Sequence, residues 1–328
     1  MTETQQTTLS TCPPFRIEPQ FVTRIWGYKD LRPSYDRVAD GAPLGEVWLT
    51  GDDCLIATGD HAGKTLGALF NELPTALLGS AAQAPGSPLL IKVIFAREKL
   101  SVQVHPDDKM ARRYGDPRGK TECWYALSAE PGAEVAAGLK PGVTLDQIKA
   151  GIHDGTLEQS LNVLPIAAGD MVFVDAGTVH AIWPGSILLE TQQNCDLTYR
   201  MYDYGRGREL HIEKSLEATR LTTRAGKIAP VKLADRTVLI DVDYFRVERL
   251  VAGDRASKSL PGPGEAAAGL AYLFAAAGSG RLVGQGFEPV GLPARGIVAI
   301  PASAPQFIVE DRGNLELIRI APNWPTGG

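Results

Sequence analysis

Glycine and proline interrupt this chain along its whole length, and their spacing limits the folds open to it. The 35 glycines and 23 prolines are spread over 328 residues rather than concentrated in one segment. They separate many short apolar runs, which is typical of strands joined by turns. The pattern therefore predicts a mainly β protein, a sandwich or a barrel, with short helical segments.

The apolar runs place most of these strands in the first two thirds of the chain. Two stretches with helical spacing interrupt them, Lys64–Leu78, which Pro74 should break, and Leu145–Leu161. We expect strands at Gly45–Thr50, Leu89–Ala96, Lys99–Val104, Glu122–Leu127, Glu134–Leu139, Met171–Val174, Thr178–Trp183, Ser186–Thr191 and Leu197–Tyr202.

The character of the sequence changes near residue 225, which suggests two β domains. We expect a polar, disordered tail at 1–14, a first domain at 15–225, and a smaller β domain at 226–328. Within the second domain, the Gly- and Pro-rich segment Ala252–Gly269 predicts a loop.

Composition excludes several classes of protein. The net charge of −5 favours neither nucleic acid nor an anionic membrane as a partner, so an anionic ligand would need a local group of cations. Four separate cysteines with no CxxC pair fit reduced thiols in the cytoplasm. No signal peptide and no apolar run near the roughly 20 residues of a membrane helix is evident.

The histidines restrict where a metal or acid–base site can lie. The chain has five histidines, and none follows His211. A site that depends on histidine must therefore lie in the first two thirds of the chain, and the predicted second domain cannot duplicate it.

The segment LSVQVHPDD carries the densest group of candidate ligands. Gln103 and His105 are two residues apart, so on a strand their side chains share one face, while Val102 and Val104 share the other. This pattern indicates either a strand that carries a site or a strand with one solvent-exposed face, and this segment alone does not separate the two.

Further polar residues lie in other predicted strands. Lys120 and Glu122 would share a face, as a site or as a surface ion pair. His180 follows a turn at the start of a strand, as a residue at the rim of a site would. Arg200 in an apolar strand needs an acidic or phosphate partner, which could be Asp196 or Glu190 as an internal ion pair.

Two histidines, a glutamate and a glutamine together make a plausible metal site. Zinc accepts imidazole nitrogens and carboxylate oxygens and keeps one position open in catalytic sites. Two histidines and one carboxylate also suit non-haem iron. The residues alone leave the choice of metal open.

These segments resemble one family along much of the chain. The strings PLLIKVIFAREKLSVQVHPDD, GKTECWY, GDMVFVDAGTVHAI, LLETQQNCDLTYRMYDYGR and ELHIEKSLEA are similar to those of mannose-6-phosphate isomerases of the zinc-dependent cupin type, in their compact bacterial form. The resemblance is collinear from Phe15 to Arg220 and is more specific than any single motif.

The resemblance implies two cupin jelly-roll domains and one Zn²⁺ per chain. It implies Gln103, His105, Glu122 and His180 as the metal ligands. By the same analogy, Arg200 acts in the active site, while Glu190 and Asp196 line the cavity. Ser101 and Lys120 would lie near the phosphate or hydroxyl groups of the substrate, and we expect Arg206 to help bind the phosphate.

The implied reaction interconverts mannose 6-phosphate and fructose 6-phosphate, with a proton moving between C2 and C1 through a cis-enediol. A base must reach that proton, and Glu190 is the first choice, Asp196 the second. Two alternatives remain: a metal-dependent cupin oxygenase, which would not need Lys120 and Arg200, and a non-catalytic cupin that binds sugar phosphates.

Overall fold

The computed structural model describes residues 11–79, 86–250 and 269–323 of the chain. Antiparallel strands dominate it, which confirms the predicted mainly β fold with short helical segments. The first ten strands are β1 (Phe15–Ile17), β2 (Gln20–Tyr28), β3 (Leu44–Trp48), β4 (Leu89–Ala96), β5 (Val102–Val104), β6 (Glu122–Ala129), β7 (Glu134–Leu139), β8 (Leu161–Pro165), β9 (Met171–Val174) and β10 (His180–Ile182).

The second half of the chain continues in the same way. The remaining strands are β11 (Ser186–Gln193), β12 (Tyr199–Tyr202), β13 (Gly226–Ile228), β14 (Val231–Lys232), β15 (Arg236–Asp241), β16 (Phe245–Leu250), β17 (Ala271–Gly284), β18 (Val290–Leu292), β19 (Ile297–Ile300) and β20 (Phe307–Pro322). The helices are α1 (Leu66–Glu72), α2 (Pro74–Leu78), α3 (Asp108–Arg113), α4 (Leu145–Asp154) and α5 (Ile212–Ala218).

The predicted helical stretches form, with their interruptions. Pro74 separates α1 from α2 and occupies the first turn of α2, where its missing N–H costs nothing. The second stretch divides into α4 and a short 3-10 turn at Leu157–Ser160, because Gly155 takes a left-handed conformation that ends α4. Among the described residues, no helix is both long and apolar enough to span a bilayer.

The chain forms two compact units, and their boundaries differ from the predicted division at residue 225. The site unit comprises Gln20–Leu49 and Leu89–Val231, and the second unit comprises the described residues of 1–19, 50–88 and 232–328. The second unit is thus assembled from three segments. β1 belongs to it because β1 pairs antiparallel with β19, a pairing across most of the chain that no local pattern reveals.

The start of the second unit corrects the prediction of a disordered tail at 1–14. Residues 1–10, and most of the loop predicted at Ala252–Gly269, lie outside the described residues. Cys12 is buried, and its backbone N–H donates a hydrogen bond to the Ser303 hydroxyl at 3.0 Å. Residues 11–14 therefore belong to the second unit rather than to a disordered tail.

Two antiparallel sheets build the site unit. One has the strand order β12–β5–β10–β7–β8, and the other β13–β9–β6–β11–β4–β3–β2. Apolar side chains of both sheets share one core, among them Trp124 and Leu188 from the larger sheet and Val135 and Ile182 from the smaller. Burial of each large apolar side chain contributes about 2 kcal/mol to stability.

The smaller sheet packs a second core on its other face. Val102 and Val104 of β5 lie in this core with Ile148 and Ile152 of α4. The valine face of β5 is therefore buried as predicted, which leaves Gln103 on the opposite face. Because successive strand residues alternate in direction, the packing of α4 fixes which way the polar residues of β5 point.

Candidate metal centre and cavity

Three strands of the site unit bring the predicted ligand residues together. Gln103 lies at the centre of β5, His105 follows that strand, Glu122 begins β6, and His180 begins β10. In the antiparallel register of β5 and β10, His180 lies directly opposite Gln103. Ligand atoms of His105, Glu122 and His180 all lie within 4.8 Å of one another, and all three residues are buried.

Glu122 lies between the two histidines. Its Oε2 is 3.5 Å from Nε2 of His105, and its Oε1 is 3.4 Å from Nε2 of His180. Nδ1 of His180 donates to the Thr178 carbonyl at 2.9 Å, so Nε2 is the unprotonated nitrogen of a neutral ring. A metal-binding histidine is oriented by this kind of backbone contact.

Several polar atoms of this group lack partners. Within the described part of the chain, neither ring nitrogen of His105 nor either carboxylate oxygen of Glu122 has a hydrogen bond. Leaving buried polar atoms unpaired is costly. A divalent cation would satisfy the facing nitrogen and oxygen atoms together, so the residues fit a metal, and the group could bind one.

The electrostatics also suit a cation. Burial, reinforced by the nearby Lys120 ammonium, lowers the pKa of His105 well below its usual value, and burial lowers the pKa of His180 to about 4. Both rings are therefore neutral at pH 7, as metal ligands must be. Burial and the neighbouring Glu190 raise the pKa of Glu122, a shift that a bound cation would oppose.

Gln103 differs from the other three predicted ligands. Its amide nitrogen lies 3.2 Å from Nε2 of His180, and its amide oxygen accepts a hydrogen bond from the Ser101 hydroxyl at 3.3 Å. The amide would have to rotate to present its oxygen to a metal held by the two histidines. Ligation by Gln103 stays a prediction.

A cavity of about 470 Å³ lies beside this group, a volume suited to a small-molecule ligand. Gln103 and Lys120 line it and connect it to the three buried residues, since Nζ of Lys120 is 3.6 Å from Oε2 of Glu122. The other lining residues are Thr23, Arg24, Ile25, Trp26, Glu46, Lys92, Ile94, Leu100, Ser101, Ile182, Glu190, Asp196, Thr198, Arg200 and Arg208.

Positive charge dominates the cavity wall, although the chain as a whole carries −5. Five cationic side chains face three carboxylates. The cations are Arg24, Lys92, Lys120, Arg200 and Arg208, and the carboxylates are Glu46, Glu190 and Asp196. This is the local cluster that an anionic ligand needs.

A buried chain of charges forms part of that wall. Nζ of Lys92 is 2.9 Å from Oε2 of Glu190 and 3.8 Å from Oε1 of Glu46. Nη2 of Arg24 is in turn 2.9 Å from Oε2 of Glu46. Burial alone would raise the pKa of Glu190, but the ammonium groups of Lys92 and Lys120 outweigh it and lower this pKa to about 2.

Sequence reasoning did not select Lys92 or Glu46. The signal for Lys92 was present, because it is the one charged residue in the run LLIKVIFA, whose eight residues are all buried in β4. A lysine there is rarely buried without a carboxylate partner. Glu46 interrupts the short apolar strand β3 in the same way.

Four further predicted residues line the cavity, and Arg206, also predicted, does not. Ser101, Glu190, Asp196 and Arg200 all line the cavity. Nη1 of Arg200 donates to the Glu209 carbonyl at 2.8 Å, while its buried Nε has no hydrogen bond within the described residues. Among these residues Arg200 forms an ion pair with neither Asp196 nor Glu190, and Glu190 pairs with Lys92 instead.

Arg206 does not line the cavity, and Arg208 does. The guanidinium of Arg206 donates to the carboxylate and carbonyl of Asp203 and to the Lys99 carbonyl. Sequence spacing could not separate two arginines that are two residues apart in YGRGREL, since a turn rather than a strand presents them.

Comparisons with known proteins point to one family. The model of the type I phosphomannose isomerase catalytic domain matches residues 15–145. The chain is 33% identical to the probable mannose-6-phosphate isomerase GmuF of Bacillus subtilis, over 84% of this chain and 89% of that protein. It is 34% identical to the mannose-6-phosphate isomerase of Streptococcus mutans, over 71% of this chain and 77% of that protein.

Solved structures give the same answer for the fold. The mannose 6-phosphate isomerase of Bacillus subtilis superposes with a TM-score of 0.83 and 29% identity, over 94% of this chain and 99% of that one. A putative mannosephosphate isomerase of Archaeoglobus fulgidus superposes with a TM-score of 0.77 at 21% identity, a likeness of fold alone. The cupin fold that the resemblance implied is thereby confirmed. The identity to the relative from Bacillus subtilis, over most of both chains, shows that this chain belongs to the mannose-6-phosphate isomerase family.

Proposed function

We propose that the protein is a zinc-dependent aldose–ketose isomerase that interconverts mannose 6-phosphate and fructose 6-phosphate through a cis-enediol. The observation that carries the proposal is the buried group of His105, Glu122 and His180 beside a cavity rich in cations. Membership of the family supports the substrate, and the excess of cations supports its phosphate.

His105, Glu122 and His180 would hold the zinc ion, with Gln103 as a fourth ligand if its amide rotates. Nitrogen and carboxylate oxygen ligands of this number suit a catalytic zinc site, and membership of the family favours zinc over iron. When bound, zinc would supply positive charge that stabilises the negative charge developing on the substrate oxygens.

A carboxylate of the cavity wall would move the proton between C2 and C1. Glu190 is the first choice, because Lys92 and Lys120 keep it ionised and so able to accept a proton. Its low pKa makes it a weak base, which is the reason to keep Asp196 as the second choice. Asp196 lines the same cavity and has no ion pair in the described part of the chain.

The cationic wall would bind the two charged parts of the substrate. Arg200 has an unused Nε–H and would stabilise the enediolate oxygens as they gain charge. Lys120 and Arg208 would bind the phosphate, and the Ser101 hydroxyl would contact a phosphate or sugar oxygen. Holding the phosphate at one end positions C1 and C2 for proton transfer.

The test is a direct assay of the zinc-loaded protein with mannose 6-phosphate, with fructose 6-phosphate as the measured product. A chelated sample and His105→Ala should both lose turnover, and His105→Ala should also lose bound zinc in elemental analysis. His153→Ala is the matched control, because His153 is exposed on α4 in the same unit. It should retain both zinc and turnover.

The other outcomes separate the alternatives. Binding of mannose 6-phosphate without turnover at any zinc loading would support a non-catalytic sugar-phosphate-binding protein. Turnover that survives complete removal of metal would contradict the zinc-dependent mechanism, even with this substrate.

A further inference from the structure

Asp203 is a buried carboxylate that two arginines share. It follows directly after β12, and its side chain is 3% exposed. Arg208 donates to it with two prongs, from Nε to Oδ2 at 2.8 Å and from Nη2 to Oδ1 at 2.5 Å. Arg206 donates from Nη2 to Oδ1 at 2.7 Å. Paired donors of this kind fix the orientation of a guanidinium.

An unusual turn makes this sharing possible. Tyr204, Gly205 and Gly207 all have positive φ angles, of 55°, 73° and 76°. A tyrosine in this region is strained and persists only where surrounding contacts hold it. The Tyr204 hydroxyl donates to Glu158 at 2.8 Å, and the resulting turn brings both arginines back to the same carboxylate.

Arg208 keeps donors for a ligand. Asp203 accepts from its Nε and Nη2, and within the described residues its Nη1 has no hydrogen-bond acceptor. Arg208 lines the cavity together with Arg200. The two like charges repel, since Arg208 contributes, after burial, to lowering the pKa of Arg200. The Asp203 carboxylate offsets that repulsion and keeps Arg208 at the wall.

Arg206 links the same carboxylate to a second part of the wall. Its Nη1 donates to the Lys99 carbonyl at 2.8 Å. The next two residues, Leu100 and Ser101, line the cavity. Asp203 therefore anchors two segments of the cavity wall without lining the cavity itself.

We propose that Asp203 is a positioning residue: it holds the Arg208 guanidinium in the orientation that binds the phosphate of the substrate, and through Arg206 it fixes the backbone before Ser101. This inference rests on the proposed function insofar as the anion is a sugar phosphate. It assigns the effect of Asp203 to binding of the anion, not to proton transfer.

The first experiment measures KM and kcat for Asp203→Asn. We expect KM for mannose 6-phosphate to rise about tenfold, the loss expected for one weakened charged hydrogen bond, with kcat within about threefold. Asp30→Asn is the matched control, because Asp30 also forms a two-pronged pair with an arginine, Arg32, but at an exposed position that does not line the cavity. It should leave both constants unchanged.

A double-mutant cycle tests whether Asp203 acts through Arg208. If it does, Asp203→Asn with Arg208→Ala should have a KM within about twofold of Arg208→Ala alone. Fully additive effects, or a drop in kcat with KM unchanged, would overturn the proposal. Arg208→Lys covers the case in which Asp203→Asn does not fold. It keeps the charge but loses the two-pronged contact, so a wild-type KM in Arg208→Lys would also overturn the proposal.

Binding of inorganic phosphate, measured by calorimetry, separates this inference from the proposed function. Asp203→Asn should weaken phosphate binding about tenfold relative to the wild type. If that loss is seen but mannose 6-phosphate is not turned over, the positioning role holds and the isomerase assignment fails. If the wild type is an active isomerase and Asp203→Asn binds phosphate normally, the positioning role fails alone.

Discussion

Two buried glutamates, one in each unit, differ in the charged groups that surround their carboxylates. Glu248 of β16, in the second unit, lies 2.8 Å from Arg246 and 2.8 Å from Arg319, with Arg236 at 3.7 Å. Glu122, in the site unit, lies between two neutral imidazoles, and its nearest cation is Lys120 at 3.6 Å.

The difference separates a structural charge from a functional one. Arginines compensate Glu248 within the protein, so removing its charge would leave cations without a partner. Glu122 is compensated only in part, by Lys120 at 3.6 Å, so that burial and Glu190 still raise its pKa. A bound metal would add positive charge at short range. A buried carboxylate whose pKa stays raised despite a neighbouring cation is therefore a stronger indication of a site than burial alone.

The largest expected effect is that of Glu122→Gln. The variant loses the charge of the proposed metal ligand, so we expect turnover of mannose 6-phosphate to fall by more than about a thousandfold and the bound zinc to be lost. The metal-free variant should be no less stable than the metal-free wild type, because it no longer buries a carboxylate that Lys120 compensates only in part. Elemental analysis and thermal unfolding in chelator check the two parts. Glu98→Gln, at an exposed position of the same unit, is the control.

A loss of metal-free stability in Glu122→Gln would break the comparison, because it would show that Glu122, like Glu248, is compensated by the protein.

The next effect separates the two candidate bases. If Glu190 moves the proton, Glu190→Gln should lower kcat about a thousandfold, with zinc still bound, while Asp196→Asn lowers it much less. Exchange of the C2 hydrogen of mannose 6-phosphate with deuterated solvent reports the step directly. The reverse ranking of the two variants would assign the base to Asp196.

Glu248→Gln should show the opposite profile to Glu122→Gln. We expect the free energy of unfolding to fall by about 3 kcal/mol, since the substitution breaks a buried ion pair and leaves its arginines without their carboxylate. Turnover per folded molecule should not change. Denaturant unfolding measures the free energy of unfolding, and an assay at a temperature where the variant is fully folded measures its turnover. Unchanged stability would show that the arginines find other partners.

The smallest expected effect is the change with pH in how much Lys92 contributes to the stability of the fold. The pKa of Glu190 lies at about 2, below the ordinary 4.5, so its ionised form stabilises the fold above about pH 4.5. That contribution is lost as the pH falls towards 2. Lys92→Met removes the main cause, and the stability gap between the wild type and Lys92→Met should narrow by about 2 kcal/mol over that window. Denaturant unfolding of both proteins in chelator at pH 6 and pH 3 measures it.

The candidate metal-binding residues could be predicted from the sequence, but the ion pairs and the turn around them could not. Gln103, Glu122 and His180 lie in predicted strands and His105 directly after one, and the structure brings the four together. The predicted surface ion pair of Lys120 with Glu122 was the wrong alternative, because both residues are buried. Residue type alone favoured that alternative, since lysine and glutamate are mostly exposed.

What the sequence could not predict depends on contacts between distant segments. Lys92 forms ion pairs with Glu46 and Glu190, and these three residues lie on the neighbouring strands β4, β3 and β11. Their role in the cavity wall depends on that pairing of strands. The choice between Arg206 and Arg208 depends on the left-handed turn at Tyr204. No helical or strand period describes such a turn, and a tyrosine gives no signal for it.

The pairing of β1 with β19 has a consequence for how the chain is made. Both segments of the site unit, 20–49 and 89–231, are synthesised before β15 to β20, so that unit can begin to fold while the ribosome is still translating. The second unit needs more of the chain, because β1 pairs with β19 at Ile297–Ile300, which is synthesised only after the whole site unit. Translation therefore imposes an order in which the site unit can fold first, while β1 has only its backbone contacts to residues 55–57 until its partner strand β19 has been made.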